Sequence, residues 1–510
     1  MEEIFMNCVQ LFLQTADRLP NKVAIVFRNV EITYSQLKEQ VLKFANGLIE
    51  AGITPDSHVA LLMPNCPQYI ISYYGVLAAG ATIVPANPLY TERELSYILN
   101  HSDAQAVIYH EFIQPTIDKT KASLTLTETF IEFSEANPNC TWNQILQHEE
   151  LAVPNERGIE GIAQILYTSG TTGNPKGVML SDDNLSYMTN LLIRELGILE
   201  DDRIIVVLPI FHTLSKMAGV WAALVHGATI YLEERFVPDA ILEMIERVKA
   251  TVFYGVPTMF TLFTMSPRLK EIDYSSLRLF GSGGASIPVE IIERIQNSIG
   301  VPVAEAYGQT EATVMITCQP LNGERIPGSV GLPVDGIGFR IVAPDGRDVP
   351  QGEIGEIVFN GRSAMMGYYK NPEATAATIR DGWVHSGDLA YQDGHGNVFI
   401  VDRIKDMIIR GGYNIYPREI EEVLYTHPAI AECAVLGEPH EVFGEEVAAF
   451  VVTKTPISAE ELQAYCQEHL AKYKIPRIFY FLDSLPKNAT GKILKTPLRK
   501  QLNEKSEEVS

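Results

Sequence analysis

Tyr167-Thr168-Ser169-Gly170-Thr171-Thr172-Gly173-Asn174-Pro175-Lys176-Gly177 follows an apolar run at residues 162–166. Gly170, Gly173 and Gly177 free the backbone to approach a ligand, the hydroxyls of Thr168, Ser169, Thr171 and Thr172 can donate hydrogen bonds to phosphate oxygens, and Lys176 adds a positive charge. Phosphate is the natural ligand of such a loop. It is not a Walker A loop, because Pro175 stands five positions after Gly170, where that motif requires glycine.

Outward from this loop the sequence is α/β in texture. Thr33 and Gln36 form a capping-box pair, and Leu37, Val41, Phe44 and Leu48 recur at helical spacing until Gly52. Strand patterns at residues 59–63 and 82–84 flank a helical stretch that ends at Ala79, and the texture returns between Asp202 and Tyr307, with strands at 204–208 and 251–254. Repeated strand–helix–strand units predict a largely parallel sheet with helices on both faces. From Val330 to Phe399, glycine-rich turns separate short strands at 356–359 and 398–401, which predicts a β-rich subdomain. Helices at 417–425 and 458–470 with strands at 432–436 and 448–453 predict a small α+β domain after it. The expected division is a large N-terminal domain over 1–402, with its β-rich subdomain at 329–402, and a small C-terminal domain over 403–510.

A chain of 510 residues exceeds what one hydrophobic core supports, so several domains are expected. The formal charge of −23 excludes a nucleic-acid partner, which needs a basic footprint. Lys472, Lys474, Arg477, Lys487, Lys492, Lys495, Arg499 and Lys500 share their stretch with one acid, Asp483, and read as a solvated basic face apart from Lys492. Glu504, Lys505, Ser506, Glu507 and Glu508 offer nothing to bury and are expected to be disordered. Cys8, Cys66, Cys140, Cys318, Cys433 and Cys466 are scattered, as reduced thiols of a cytoplasmic enzyme would be. The first residues lack the basic start and apolar core of a signal peptide, and no run is long enough for a membrane span, so a soluble protein with no integral membrane association is expected.

Further segments follow in a fixed order: Leu208-Pro209-Ile210-Phe211-His212, Gly283-Gly284-Ala285, Tyr307-Gly308-Gln309-Thr310-Glu311, Ser386-Gly387-Asp388, Asp402-Arg403-Ile404-Lys405-Asp406, Gly411-Gly412-Tyr413-Asn414 and Pro486-Lys487-Asn488-Ala489-Thr490-Gly491-Lys492. With the phosphate loop they resemble, over essentially the whole chain, the adenylate-forming superfamily of acyl-CoA synthetases, adenylation domains and firefly luciferase. Bacterial AMP-forming fatty-acid–CoA ligases are the most similar. The resemblance implies an α/β fold: a large domain of two doubly wound mixed or parallel sheets plus the β-rich subdomain, and a small mobile α+β domain. It also implies that Glu311 holds Mg²⁺ on the phosphates of ATP, Thr310 bonds the α-phosphate, and Tyr307 stacks on adenine beside Gly283, Gly284 and Ala285. Asp388 would grip the ribose hydroxyls with Arg403 assisting, His212 would gate the acyl pocket, and Lys492 would bridge carboxylate and α-phosphate. Lys405 matches the hinge position, and Gly411 and Gly412 the turn over the pantetheine arm of coenzyme A.

The acid is less legible. Gly255-Val256-Pro257-Thr258-Met259 resembles the fatty-acid enzymes, and the small residues Ala306 and Gly308 would leave an apolar slot open, with Met217, Val220 and Trp221 able to line its wall. A medium- or long-chain fatty acid is expected, with an aryl acid as rival. Free CoA is the expected acceptor and an acyl carrier protein the alternative, in a monomer or homodimer. A non-catalytic scaffold of the same fold has no use for Lys492.

Overall fold

Strands buried on both faces divide their side chains between two cores. Val59 and Leu61 point into one apolar cluster and Ala60 and Leu62 into another; Ile204 and Val206 join the first cluster, and Ile205 and Val207 a third. The computed structural model describes residues 6–155, 157, 161–168 and 174–509, the last seven as backbone alone. In its large N-terminal part, the strands Val303–Tyr307, Leu279–Ser282, Val252–Gly255, Arg203–Val206, Thr229–Leu232 and Val23–Phe27 pair in parallel, in that order. Antiparallel strands close both ends, giving nine.

A seven-stranded sheet carries the parallel run Ile162–Thr168, Thr82–Pro85, His58–Leu62, Ala104–His110, Thr129–Phe133, extended antiparallel by Lys176–Ser181 and Gly367–Tyr368. The helix Pro67–Ala78 is buried nearly all round and shares one core cluster with residues of both sheets. Thr33 caps the helix Tyr34–Glu50 with the reciprocal Gln36 bond that the sequence predicts, and Leu37, Val41, Phe44 and Leu48 form its buried face.

A third, antiparallel sheet contains Gly338–Val342, Gly355–Asn360, Trp383–Gln392 and Val398–Arg403, where a β-rich subdomain is expected. In the small C-terminal part, Ile430–His440 and Gly444–Thr453 form the centre of a five-stranded sheet. Its two faces again alternate. Val435, Val447 and Val451 meet the helices Pro417–Thr426 and Ala459–His469, while Leu436 and Phe450 meet Leu498 and Leu502 of Lys495–Val509.

Two expectations are corrected. The terminal residues 504–508 continue the helix Lys495–Val509, because Leu498 and Leu502, four apart, bury one face of it and anchor its winding. The basic face is largely neutralised: Lys474 pairs with Glu419, Lys487 with Glu432, Lys495 with Glu421 and Arg499 with Asp406, acids that lie earlier in sequence. All six cysteines are buried free thiols. No helix among the described residues is long and apolar enough to cross a membrane.

Leu502→Ala should cost about 2–5 kcal/mol, the usual range for emptying a fully buried leucine site. Urea unfolding followed through the small domain checks it; an unchanged midpoint would mean that the terminal helix does not pack as described.

Candidate active site

Sequence-predicted residues cluster at the carboxyl ends of the parallel strands, where open α/β sheets bind ligands. Val303–Tyr307 ends in Tyr307, Leu279–Ser282 runs into Gly283-Gly284-Ala285, Val252–Gly255 runs into Val256, and Arg203–Val206 leads to His212. Ile162–Thr168 delivers Thr168, which pairs with Lys176 across the strand register and so fixes both ends of the phosphate loop. Ser169, Gly170, Thr171, Thr172 and Gly173 lie outside the described residues.

On the phosphate side, Lys176 Nζ lies 4.8 Å from the ring centroid of Tyr368, and the Tyr368 hydroxyl donates to Glu311 Oε1 at 2.9 Å. Tyr368 therefore ties the loop lysine to the carboxylate expected to hold the metal. It reaches that place because Gly367–Tyr368 pairs with Lys176–Ser181, a long-range contact with no sequence signature. Glu311 sits on the 3₁₀ turn Thr310–Ala312 with Thr310 beside it, and burial pushes its carboxyl above the ordinary range. Thr313 follows at φ +66°, a strained conformation for a β-branched residue, held by its hydroxyl bond to Ser363 O at 2.7 Å.

On the nucleoside side, Asp388 is 4% exposed, accepts a 2.7 Å hydrogen bond from Tyr307 Oη and lies 3.0 Å from Arg403 Nε. Asp388 and Arg403 are register partners on neighbouring antiparallel strands, so backbone geometry sets this ion pair. Asp388 is the main reason that Arg403 is held above its ordinary range, while burial and then Asp388 keep the Tyr307 phenol neutral. Gly284 has φ +80°, and a Cβ there would meet only Val256 Cγ1, at 3.8 Å. A Cβ on Gly283 would lie 3.2 Å from Leu214 Cδ2.

Gly308 has a structural demand of its own. A Cβ there would fall 1.9 Å from Val314 O, so the glycine permits a backbone-to-backbone approach. Met217 and Trp221 are fully buried on the segment after His212, and Trp221 stacks on Tyr74 at 4.5 Å and meets Tyr73 edge-on at 4.4 Å. Val256 is buried and Ala306 partly so.

Lys492 comes from the small domain. Asn488 Oδ1 accepts from Thr490 N at 3.0 Å and from Lys492 N at 2.9 Å, which shapes the turn, and Gly491 takes φ +85°. The Thr258 hydroxyl donates to Gly491 O at 2.8 Å, docking this turn on the large domain. Lys492 is half-buried; burial, then Arg403, pulls its amine down to about 8. Asp388 and Asp406 oppose that shift and Lys405 adds to it. His212 is pulled down to about 4, by burial first and then by Lys492 and Lys216, so its imidazole is neutral near pH 7. Lys405 lies exposed in the turn after Val398–Arg403. Gly411 and Gly412 form the exposed two-residue turn between Ile408–Arg410 and Tyr413–Ile415, at φ +55° and +86°, and Gly411 N bonds Phe443 O at 2.8 Å. The structure groups them with the small domain's own residues and not with Tyr307 and Asp388.

Residues 12–369 match the family described as AMP-binding enzyme, and residues 419–492 match the AMP-binding enzyme C-terminal domain. A long-chain-fatty-acid–CoA ligase of Bacillus subtilis (strain 168) is 36% identical over 98% of this chain and 94% of its own. The crystal structure of an anthranilate CoA ligase in complex with anthranoyl-AMP superposes with TM-score 0.93 at 28% identity, covering 99% of this chain and 98% of that one. ATP-bound MatB from Rhodopseudomonas palustris gives 0.91 at 33% identity, covering 97% and 99%. The chain belongs to the AMP-binding enzyme family.

Nucleotide phosphates beside Lys492 should raise its pKa from about 8, so binding takes up a proton and affinity falls as pH rises through 8. Titration calorimetry with an unhydrolysable ATP analogue at pH 8.5, in buffers of different ionisation enthalpy, should show about 0.5 proton or more taken up. Lys492→Met should abolish that uptake; persistence in the variant would assign the proton elsewhere. In the same assay Asp388→Ala should weaken binding by about 1.5–3 kcal/mol through lost charge-assisted hydrogen bonds.

Proposed function

We propose that this chain is an AMP-forming acid–CoA ligase acting on a medium- or long-chain fatty acid. One carboxylate oxygen attacks the α-phosphorus of ATP and the bond to pyrophosphate breaks; the thiol of CoA then attacks the acyl carbonyl and AMP leaves. The observation that carries the reading is the docking of Lys492 within electrostatic reach of Asp388, Arg403 and His212. Carboxylate and phosphate are both anionic, and a cation set between them offsets the charge that accumulates as they join.

Asp388 and Arg403 would fix the ribose and Tyr307 the base, while Thr310 and Lys176 would hold phosphate oxygens. Glu311 is a lone recessed carboxylate, and no group of three acidic, histidine or cysteine ligands capable of caging a metal occurs among the described residues. That donor set fits Mg²⁺, which takes one or two protein carboxylates and draws its other oxygens from phosphate and water. The ion would supply charge neutralisation on the phosphates. Neutral His212 would border the acid without competing for its carboxylate as a cation.

The fatty acid is supported by the similarity to the Bacillus subtilis ligase; in this reading Met217, Val256 and Ala306 would line its slot. An aryl acid is the second reading, supported by the similarity to the anthranilate ligase. CoA is the acceptor in this reading, and an acyl carrier protein is the alternative that a thiol-dependence assay separates. For the second step the small domain would turn about Lys405 and bring Gly411 and Gly412 to the pantetheine arm.

With Mg²⁺-ATP, a fatty acid and CoA, the products should be acyl-CoA, AMP and pyrophosphate; ADP and orthophosphate would refute the mechanism. In single-turnover assays Lys492→Ala should slow acyl-adenylate formation about 100-fold or more while sparing thioester formation from supplied acyl-adenylate. Gly412→Leu should do the reverse, since a Cβ at Gly412 meets nothing within 4 Å in this pose. Lys405→Pro should resemble Gly412→Leu by restricting the swing. Equal losses in both steps for every variant would discard the two-pose account.

A further inference from the structure

The turn that carries Glu311 is held at three points by one strap of chain, residues 363–368. Met365 N donates to Glu311 O at 2.8 Å, the Thr313 hydroxyl to Ser363 O at 2.7 Å, and the Tyr368 hydroxyl to Glu311 Oε1 at 2.9 Å. The strap is tied in turn to the element that begins with Lys176. Met366 N donates to Met179 O at 3.0 Å on the strand Lys176–Ser181. Asn184 Nδ2, on the helix that follows that strand, donates to Arg362 O at 2.7 Å and to Ala364 O at 3.0 Å.

Tyr368 stands opposite Val178 in the antiparallel register, so Lys176, two residues earlier on the same face, is its diagonal neighbour. A long side chain reaches an aromatic ring at that spacing, and the Lys176 ammonium lies 4.8 Å from the Tyr368 ring centroid. Among the described residues no carboxylate pairs with Lys176, and the electron-rich ring face attracts its charge. The hydroxyl of the same ring meets Glu311, and no other side chain among the described residues donates to that carboxylate, so its second oxygen is left for a ligand. Lys176 and Glu311 have opposite charges, yet each is satisfied by Tyr368 and not by the other. The tyrosine is 7% exposed and its backbone is fixed from the far edge too: Tyr368 N donates to Thr375 Oγ1 at 2.9 Å. Gly367, at φ +137°, admits that contact, since a Cβ there would lie 2.8 Å from Thr375 Cγ2.

We propose that Tyr368 is a positioning residue that keeps Lys176 and Glu311 from neutralising each other, its ring presenting the lysine to the nucleotide phosphates and its hydroxyl turning the free carboxylate oxygen toward the metal on them. This assignment rests on the roles given to Lys176 and Glu311 in the ligase reading and adds the group that aims both. The two parts of the side chain separate the two tasks. Removing the hydroxyl frees the carboxylate to rotate away from the metal, and removing the ring as well lets the lysine fall onto the carboxylate.

The test is calorimetric titration of the full-length protein with an unhydrolysable ATP analogue, once with Mg²⁺ and once with the metal chelated. Mg²⁺ should tighten binding to the wild type, and Glu311→Gln should remove most of that gain. Tyr368→Phe keeps the ring: its metal-free affinity should match the wild type, while its affinity in Mg²⁺ should fall about 10-fold or more, as when the outer partner of a metal ligand is lost. Combined with Glu311→Gln it should add no further loss. Tyr368→Leu should also weaken the metal-free complex, by about 3-fold or more, as Lys176→Met does. Should the leucine variant fold poorly, Lys176→Met in the Tyr368→Phe background decides the ring's part, since it must cost the same metal-free affinity there as in the wild type. A phenylalanine variant that binds as the wild type does in both titrations, or that loses equally in both as a merely structural residue would, overturns the inference and leaves Glu311 and Lys176 their roles. A wild type indifferent to Mg²⁺, or a Mg²⁺ gain that survives Glu311→Gln, overturns the reading of Glu311, and this inference with it.

Discussion

The carboxylate of Asp388 is the junction on which the arrangement depends. Tyr307, from the end of a strand in the nine-stranded sheet, donates to one oxygen, and Arg403, from the last strand before the small domain, flanks the other. Three parts of the chain thus meet at one nearly inaccessible side chain. Because Asp388 and Arg403 are register partners, the contact is fixed by sheet geometry, and losing it would misplace the small domain's entry as well as the proposed ribose grip.

Positive charge is gathered at that junction beyond what the protein itself neutralises. Lys492 lies near Arg403 and Lys405, and burial with these like charges lowers its hold on a proton despite Asp388 and Asp406. A cationic cleft of this kind is stabilised by the phosphates and carboxylate that enter it. In a chain of net charge −23, the local excess is a focusing field that the overall balance hides.

Legibility followed the range of the interactions. The capping box at Thr33 and the apolar strand run from Val59 to Leu62 are local patterns, and each announces its structure within a few residues. Tyr307, Asp388, Arg403 and Lys492 were readable only as members of ordered motifs, and their mutual geometry came from pairing between distant strands and from the docking bond of Thr258 to Gly491. Tyr368 and Thr313 were missed because a register contact and a backbone angle leave no compositional trace. At Gly308 the crowding atom is the carbonyl of Val314, which side-chain reasoning does not see.

The seam between the two parts differs in kind from their interiors. The buried apolar clusters of the small domain are built from its own residues, Ile408 to Phe479 in one and Ala434 to Leu502 in the other. Contacts across or along the boundary are polar: Thr258 with Gly491 O, Arg418 Nη1 with Ile400 O at 2.7 Å, Arg418 N with Asp402 Oδ2 at 3.0 Å. Glu305, below the cleft in the nine-stranded sheet, is pushed up to about 7 by burial, with Arg418 and Glu422 of the small domain acting on it in opposite directions. Apolar interfaces lose stability in proportion to the area separated, whereas polar groups exchange one partner for another or for water at little net cost. A seam of hydrogen bonds and charges would let each part keep its core while their relation changes, which is the physical requirement of the proposed presentation of Lys492 in one step and the Gly411–Gly412 turn in the next.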